Sequence, residues 1–396
     1  MIPRKERCAA VAFTTLFAGC GLWGDPSQMM QPPDAGQPNM AGPCSSGRIT
    51  AGNVLYSGTA LPNAAGQGLF DDPPVSMRRL AFSGSVLHTN TLSELWSTDL
   101  SQLTPPIARY AGVDRSTEGN ITKYQDGPCT SARFSEISGI AVAPDGSLFV
   151  TDKLANSVLR VTSPGSPGCS VSFYAGTSTA SASVPPIGLS PGDQDGAGAS
   201  ARFRAPTHPV VDGAGNLFLI DNVRRLRKVA NDAAHTVSTV ANLPGSTGEN
   251  YSGMTLLGGR LYATFIAFTS NSIVEIDPSS GAARTLFQGK NSDWPELDPS
   301  TIPALADITH DGTDLYVTGH SHVWSLSVSG AIRYAAGSAE VFFPPNYSLT
   351  AAHPVTELVL PANVANAGLA LRQGSLYFRG NSGTHNNAYI IEIKCP

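Results

Sequence analysis

Charge is scarce in this chain: Lys and Arg number 25 and Asp and Glu 30 among 396 residues, 14% together. The balance is a net charge of −5. That argues against a nucleic-acid partner, because phosphate binding rests on concentrated positive surface. Helical patterning is missing as well: no stretch sustains apolar residues at i, i+3, i+4 and i+7. Neither a Gly-x-Ser-x-Gly elbow nor a phosphate-cradling Gly-Lys-Ser loop is present. Two common routes to a catalytic reading therefore have no support. What the chain has in quantity is glycine, at 40, and proline, at 30. Short apolar runs bounded by Gly, Asp, Asn, Ser or Pro recur throughout, the pattern of short strands and many turns.

One phrase occurs twice. Gln125-Asp126-Gly127, Ala132-Arg133-Phe134 and Leu148 to Asp152 return as Gln194-Asp195-Gly196, Ala201-Arg202-Phe203 and Leu217 to Asp221, every position shifted by 69 residues. An offset held through separate blocks marks an internal repeat. A second signature runs further, an aromatic or aliphatic strand closing on Gly. It reads Leu55 to Gly58, Arg109 to Gly112, Phe173 to Gly176, a degenerate Thr239 to Asn242, Leu286 to Gly289 and Arg333 to Gly337, six endings in all. Three further strands fit between endings, clearest in Ile137 to Ala143, the Pro144-Asp145-Gly146 turn, Ser147 to Thr151 and Ser157 to Thr162. Four-stranded units repeated around a ring are β-propeller blades. The expected fold is all-β, a six-bladed β-propeller of four-stranded antiparallel blades over 44–396. The strand Ile49 to Gly58 precedes any blade and Tyr389 to Lys394 ends without a fourth strand, so the N-terminal strand is expected to close the ring by joining the C-terminal blade.

The phrase SARF…SGIAVAPDGSLFVTDKLANSVLRV resembles the NHL repeat. The likeness is close in two repeats and reduced to an LYxT or LYF strand in those near Ser252, Leu305 and Asn366. Some six-bladed propeller enzymes, the lactonases and the NHL-type amidating lyase, hold calcium or zinc in the central channel. By that resemblance, His208, Asp307 and Asn366, at the mouths of their first strands, are the candidate channel ligand-binding residues. Oxygen ligands would suit calcium and imidazoles zinc. His320 and His322, alternating in a turn after a second strand, are candidate loop ligand-binding residues. His310-Asp311-Gly312 aligns with the Pro144-Asp145-Gly146 turn, and Asp145, Asp152 and Asp221 recur as turn caps at strand ends. None of these forms a catalytic constellation, and no resident cofactor is expected.

Arg4, Lys5 and Arg7 precede the apolar run Ala9 to Ala18, too short for a membrane span. The run ends in Leu16-Phe17-Ala18-Gly19-Cys20, which resembles the lipobox of bacterial lipoproteins. The resemblance implies a signal peptide over 1–19 and a lipidated Cys20; residues 20–43, rich in Pro, Gly, Gln and Met, then form a disordered tether. Gly21 after the cysteine suggests, by the same resemblance, the outer membrane. Of six cysteines, Cys8 and Cys20 are thereby accounted for, leaving four in an exported chain where disulfides persist. Cys44 with Cys395 would pin the ring closure. Cys129 with Cys169 remains by elimination: the two positions normally fall on opposite faces of a propeller, too far apart for a bridge, but the connection from Val113 to Thr130 is long enough to bring them together. The expected function is that of a monomeric, lipid-anchored envelope module, non-enzymatic, binding a protein or glycan partner. The alternative is a metal-dependent propeller lyase or lactonase using the channel.

Overall fold

Consecutive side chains of a strand point to opposite faces, so a strand buried on both faces reads as an unbroken apolar run rather than an alternating one. Leu217-Phe218-Leu219-Ile220 shows the consequence. Leu217 and Leu219 pack with Phe149, Val158 and Tyr174 on one side. Phe218 and Ile220 pack with Tyr251, Met254 and Leu261 on the other. All four are at most 3% exposed. Sheets stacked through such two-faced strands make a propeller.

The computed structural model describes residues 50–57, 78–102, 107–113, 124–176, 191–267, 270–289, 305–319, 322–337, 368–382 and 387–394. All of these lie in one compact unit, Met40–Pro396. The expected signal peptide, Cys20, the tether, Cys44, Asn366, His320 and Cys395 lie outside the described residues. Among the described residues there is no helix long and apolar enough to cross a membrane.

The strands are β1 (Thr50–Ser57), β2 (Leu80–Ser83), β3 (Val86–Asn90), β4 (Glu94–Asp99), β5 (Ala108–Gly112), β6 (Gly127–Pro128), β7 (Ile137–Val142), β8 (Leu148–Asp152) and β9 (Ser157–Thr162). They continue as β10 (Ser170–Gly176), β11 (Thr207–Val211), β12 (Leu217–Asp221), β13 (Arg225–Val229), β14 (Val237–Asn242), β15 (Asn250–Leu257), β16 (Arg260–Ile266), β17 (Asn271–Ile276) and β18 (Ala283–Gly289). The last are β19 (Leu305–His310), β20 (Asp314–Gly319), β21 (His322–Ser327), β22 (Ile332–Gly337), β23 (Gly368–Arg372), β24 (Ser375–Ser382) and β25 (Asn387–Lys394). They form six antiparallel sheets. Five are built from consecutive strands: β2–β5, β7–β10 with β6 added, β11–β14, β15–β18 and β19–β22. The sixth is composite, in the order β1-β25-β24-β23. Here β1 runs antiparallel to β25 from Thr50 opposite Lys394 to Ser57 opposite Tyr389.

Four of the five apolar clusters lie between two neighbouring sheets, and the fifth runs through three, from Tyr262 and Ile273 past Trp324 to Phe378. Leu95 and Ala111 of the β2–β5 sheet pack with Phe134, Ile140 and Leu159 of the next. Leu80 and Leu87 pack on the other side against Ala370, Tyr377 and Ile390 of the composite sheet. The fold is an all-β propeller.

The twice-written phrase is scaffold, and each part has a mechanical role. Backbone pairing between Gln125 and Arg133, N–H to O at 2.9 and 3.1 Å, folds the connection back on itself. Asp126 Oδ2 accepts the Phe173 N–H at 3.1 Å, and Asp195 Oδ2 accepts that of Thr239 at 2.9 Å, so each holds the last strand of its repeat, β10 and β14. Ala132, Phe134, Ala201 and Phe203 are fully buried. Asp152 accepts from Ala155 in the following turn, as expected of a cap, but also from Ser135 and Glu136 of the preceding connection. Asp221 likewise accepts from Arg204 N at 2.6 Å.

The structure corrects one expectation and decides a second. One sheet has five strands rather than four, because β6 runs beside β10, with Pro128 opposite Ser170. That excursion is what lets Cys129 meet Cys169: they form a disulfide with Cα atoms 5.4 Å apart, and the Cys129 N–H donates to the Cys169 carbonyl at 3.1 Å. The normal separation on opposite faces does not hold, since the long connection crosses to the outer edge before turning inward.

Candidate functional site

The first strands of the sheets, β2, β7, β11, β15, β19 and β23, lie side by side in that order, with β23 returning to β2. Four of them carry a register shift near their start: between Ile137 and Gly139, Thr207 and Val210, Tyr251 and Gly253, and Leu305 and Asp307. Such bulges leave backbone groups outside the ladder and re-aim side chains, which is why they collect beside sites. Glycine makes the close approach possible. A Cβ on Gly139 would lie 2.3 Å from Pro209 Cδ, and one on Gly253 2.9 Å from Asp307 Cα. Pro209 follows His208 within the second of these bulged segments, and His208 itself has φ +51°. That left-handed conformation is uncommon outside glycine and turns its ring out of the strand's alternation.

Two of the three expected channel residues meet here, around a residue that the sequence did not single out. Arg79, just ahead of β2, reaches across to three other sheets. Its Nη1 lies 2.7 Å from Asp307 Oδ1 and donates to the Ala306 carbonyl at 3.2 Å. Its Nη2 donates to the Ser252 carbonyl at 2.7 Å and lies 3.1 Å from His208 Nδ1. His208 Nε2 faces the Tyr251 carbonyl at 3.0 Å. A carbonyl only accepts, so Nε2 carries the proton and Nδ1 is left as the acceptor that Arg79 needs. Asp307 is equally engaged: Oδ1 accepts the Ile308 N–H at 3.0 Å and Oδ2 the Leu369 N–H at 3.1 Å. Arg78, the neighbour of Arg79, lies 4.0 Å from Glu136, just ahead of β7. The pair Arg78-Arg79 thus contacts groups in or beside four of the five other sheets.

Electrostatics follow from burial. Loss of solvent lowers the His208 pKa to about 3, helped by the Arg79 charge and opposed by the contact with Tyr251. Burial pushes the Asp307 carboxyl above its ordinary value, against the pull of Arg79 and two backbone N–H groups. Burial also lowers His88, edge-on to Tyr110, to about 4. Both imidazoles are neutral in the folded protein, whereas in the unfolded chain they take up protons near pH 6.5. Their contribution is therefore present above pH 6.5 and lost as pH falls toward the folded values. Each should steepen the acid loss of stability by about 1.4 kcal/mol per pH unit between roughly pH 4 and 6. Asp221 opposes them over this range, since burial raises it to about 6 and it is protonated first in the folded state. Urea denaturation across that range should show a shallower dependence for His208→Gln and His88→Gln, and a steeper one for Asp221→Asn.

The described residues do not fit a channel metal. Every donor atom of His208 and Asp307 already has a protein partner, and a guanidinium lies within hydrogen-bonding distance of both. Among the described residues, no three His, Cys, Asp or Glu side chains converge as a metal-ligand group. The histidine turn also departs from expectation. His322 is not on an exposed loop but 3% exposed in β21, its ring stacked on Trp324 at 5.5 Å. His310 Nδ1 accepts the Gly312 N–H at 3.1 Å and Asp311 Oδ1 accepts from Thr313 and Asp314, as a turn requires.

A different feature lies at the same ends of the strands. Leu154 and Val223 are 46% and 45% exposed and occupy equivalent positions of the two best-kept repeats. Each sits in the turn between second and third strands, beside exposed Lys153 and Asn222. Val223 holds φ +71°, a conformation that a β-branched side chain adopts only under strain. Arg204, also exposed, lies in the same region, its N–H bonded to Asp221 at the end of β12. Sequence reading missed these exposed side chains because the repeat hides them: both turns are part of the shared pattern.

Comparison with known proteins adds the fold and no family. No family model matches the chain, and no curated protein does. Among solved structures, an auxiliary nutrient-binding protein from Bacteroides ovatus is similar at TM-score 0.56 and 10% identity, over 88% of this chain and 77% of its own. One from Bacteroides thetaiotaomicron gives 0.52 at 9% identity, over 87% and 76%. A gluconolactonase from Xanthomonas campestris gives 0.50 at 11% identity, over 90% of this chain and 98% of its own. At such identities the likeness is one of fold.

Proposed function

We propose that the chain is an exported, lipid-anchored, non-enzymatic binding module of the cell envelope, with a protein or glycan partner. On this reading the six sheets are the blades of one ring of NHL type, closed where β1 joins the composite sheet, with a Cys44–Cys395 disulfide beside the closure. The observation that carries it is the channel. Among the described residues, the polar groups of His208 and Asp307 are engaged around Arg79 and with backbone groups, which favours a role other than metal binding or proton transfer for them. The partner is then met by the loops at the strand ends that carry Leu154, Val223, Lys153 and Arg204, since loops on a rigid scaffold are where binding residues concentrate. Exposed apolar side chains flanked by cationic groups suit a partner with acidic and apolar groups together.

Two further observations support export. The Cys129–Cys169 disulfide belongs to an oxidising compartment. The run to Cys20 followed by a Pro- and Gly-rich spacer is the arrangement that a lipid anchor requires. The similar structures are named for nutrient binding and for lactone hydrolysis alike, and the engagement of His208 and Asp307 favours the first kind of role here. The test is cross-linking in intact envelopes with wild type and a Leu154→Asp/Val223→Asp variant, alongside assays of a lactone and ester panel. A discrete adduct formed by wild type and lost in the variant is expected, with no turnover. Turnover abolished by His208→Gln would overturn the reading. Cys20→Ser should move the protein from the membrane to the soluble fraction.

A further inference from the structure

The register shifts in β15 and β19 release two carbonyls from the sheet ladders, those of Ser252 and Ala306. A buried backbone carbonyl outside its ladder needs another partner. Both are met by the same side chain, Arg79, which is 19% exposed and ion-paired to Asp307, itself 10% exposed. The fourth group on Arg79, His208 Nδ1, is fixed as an acceptor by the contact of Nε2 with the Tyr251 carbonyl. The lining is therefore all acceptors: two carbonyl oxygens, one carboxylate oxygen and one imidazole nitrogen. Such a set has the chemistry of a cation site. Hard oxygen donors with a carboxylate suit calcium. A planar fork of five N–H groups suits several acceptors at once.

We propose that Arg79 is the resident cation of this site: its guanidinium fills a cation pocket made by Ser252, Ala306, Asp307 and His208, and ties four sheets together as a bound divalent ion would. The tie is intramolecular, so it needs no metal supply and cannot be stripped by a chelator. It also explains why Gly253 is required, since any side chain there would push Asp307 away from the guanidinium. The proposal stands whether or not the protein binds an envelope partner.

Thermal unfolding of the full chain tests it. Wild type should keep its Tm in the presence of excess EDTA and of millimolar calcium chloride. Arg79→Ala should lower Tm by roughly 5–10 °C, because it strands a largely buried carboxylate. Millimolar calcium, or methylguanidinium far below denaturing concentration, should restore part of that loss in Arg79→Ala. Neither should act in Arg79→Ala/Asp307→Asn. Three protein oxygens leave most of a calcium shell to water, so rescue belongs in the millimolar range. A wild-type Tm that moves with calcium or EDTA would overturn the proposal, as would an Arg79→Ala loss that neither cation repairs. Should the alanine variant not fold, Arg79→Lys decides: keeping the charge, it must fold and stay indifferent to calcium. A lysine variant that fails to fold sinks the idea.

Discussion

Arg227→Leu is expected to cost on the order of 3–5 kcal/mol, the range for removing one partner of a buried ion pair. Arg227 is fully buried, with Nη1 3.0 Å from Asp221 Oδ2, also fully buried, and Nη2 2.8 Å from Asp195 Oδ1. The same fork donates to the carbonyls of Arg202 and Gln194, and the guanidinium lies 5.1 Å from the Phe203 ring. The preceding repeat shows that leucine suits the strand itself: Leu159 holds the equivalent place in β9, fully buried. The difference lies in the carboxylate each must face. Asp152 accepts three backbone N–H groups, from Ser135, Glu136 and Ala155. Asp221 accepts the backbone N–H of Arg204, and its other oxygen faces the guanidinium. Leucine at 227 would leave that oxygen in an apolar interior. Arg227→Leu/Asp221→Asn should therefore recover part of the loss, and urea denaturation of the double-mutant cycle measures the coupling. Additivity within about 0.5 kcal/mol would show that the two side chains do not act as a pair.

Removing the Cys129–Cys169 disulfide should cost about 4 kcal/mol, the chain-entropy value for a loop of this length. The two cysteines are 40 residues apart in sequence. Without the bond, β6 is held by two backbone partners on the edge of β10, Pro128 opposite Ser170 and Gly127 opposite Val171. The connection should then loosen first, and hydrogen exchange at the N–H groups of Cys129 and Phe173 should report it, since both depend on that excursion. The measurement is the denaturation midpoint of Cys129→Ser/Cys169→Ser and of reduced wild type. A loss below about 1 kcal/mol would show that the added strand and Asp126 hold the connection unaided.

The strands themselves were legible because each short apolar run ends on a turn residue with a local reason to be there. Gly146, at φ +80°, closes the turn from Ala143, and Asp145 Oδ1 accepts the Ser147 N–H. The recurring Asp and Ala-x-Phe residues were legible as scaffold for the same reason: the repeat requires the same bonds in each copy. His208 and Asp307 could be placed near the channel because a register of repeats assigns equivalent positions. What they do there could not be read, because their partner arrives from far away in the chain. Arg79 lies 129 residues before His208 and 227 before Ala306, to whose carbonyl it donates. No spacing rule spans such distances. His322 was misread as a loop residue because β21 begins with it, and only packing against Trp324 shows its ring to be interior.

The chain's own pattern thus determined an all-β propeller, the turns between its strands and the residues that repeat with them, since each depends on neighbours within a few positions or on one repeat copying another. Tertiary structure alone decided that Cys129 reaches Cys169 by way of β6, that Asp221 needs Arg227 where Asp152 needs no arginine, and that His208 and Asp307 converge on Arg79. The first two partners meet when one sheet folds with the connection that leads into it, and Arg79 meets its partners only when neighbouring sheets stack; for Asp221 and for the groups around Arg79, the cost of leaving a buried charge or carbonyl unpaired selects the partner.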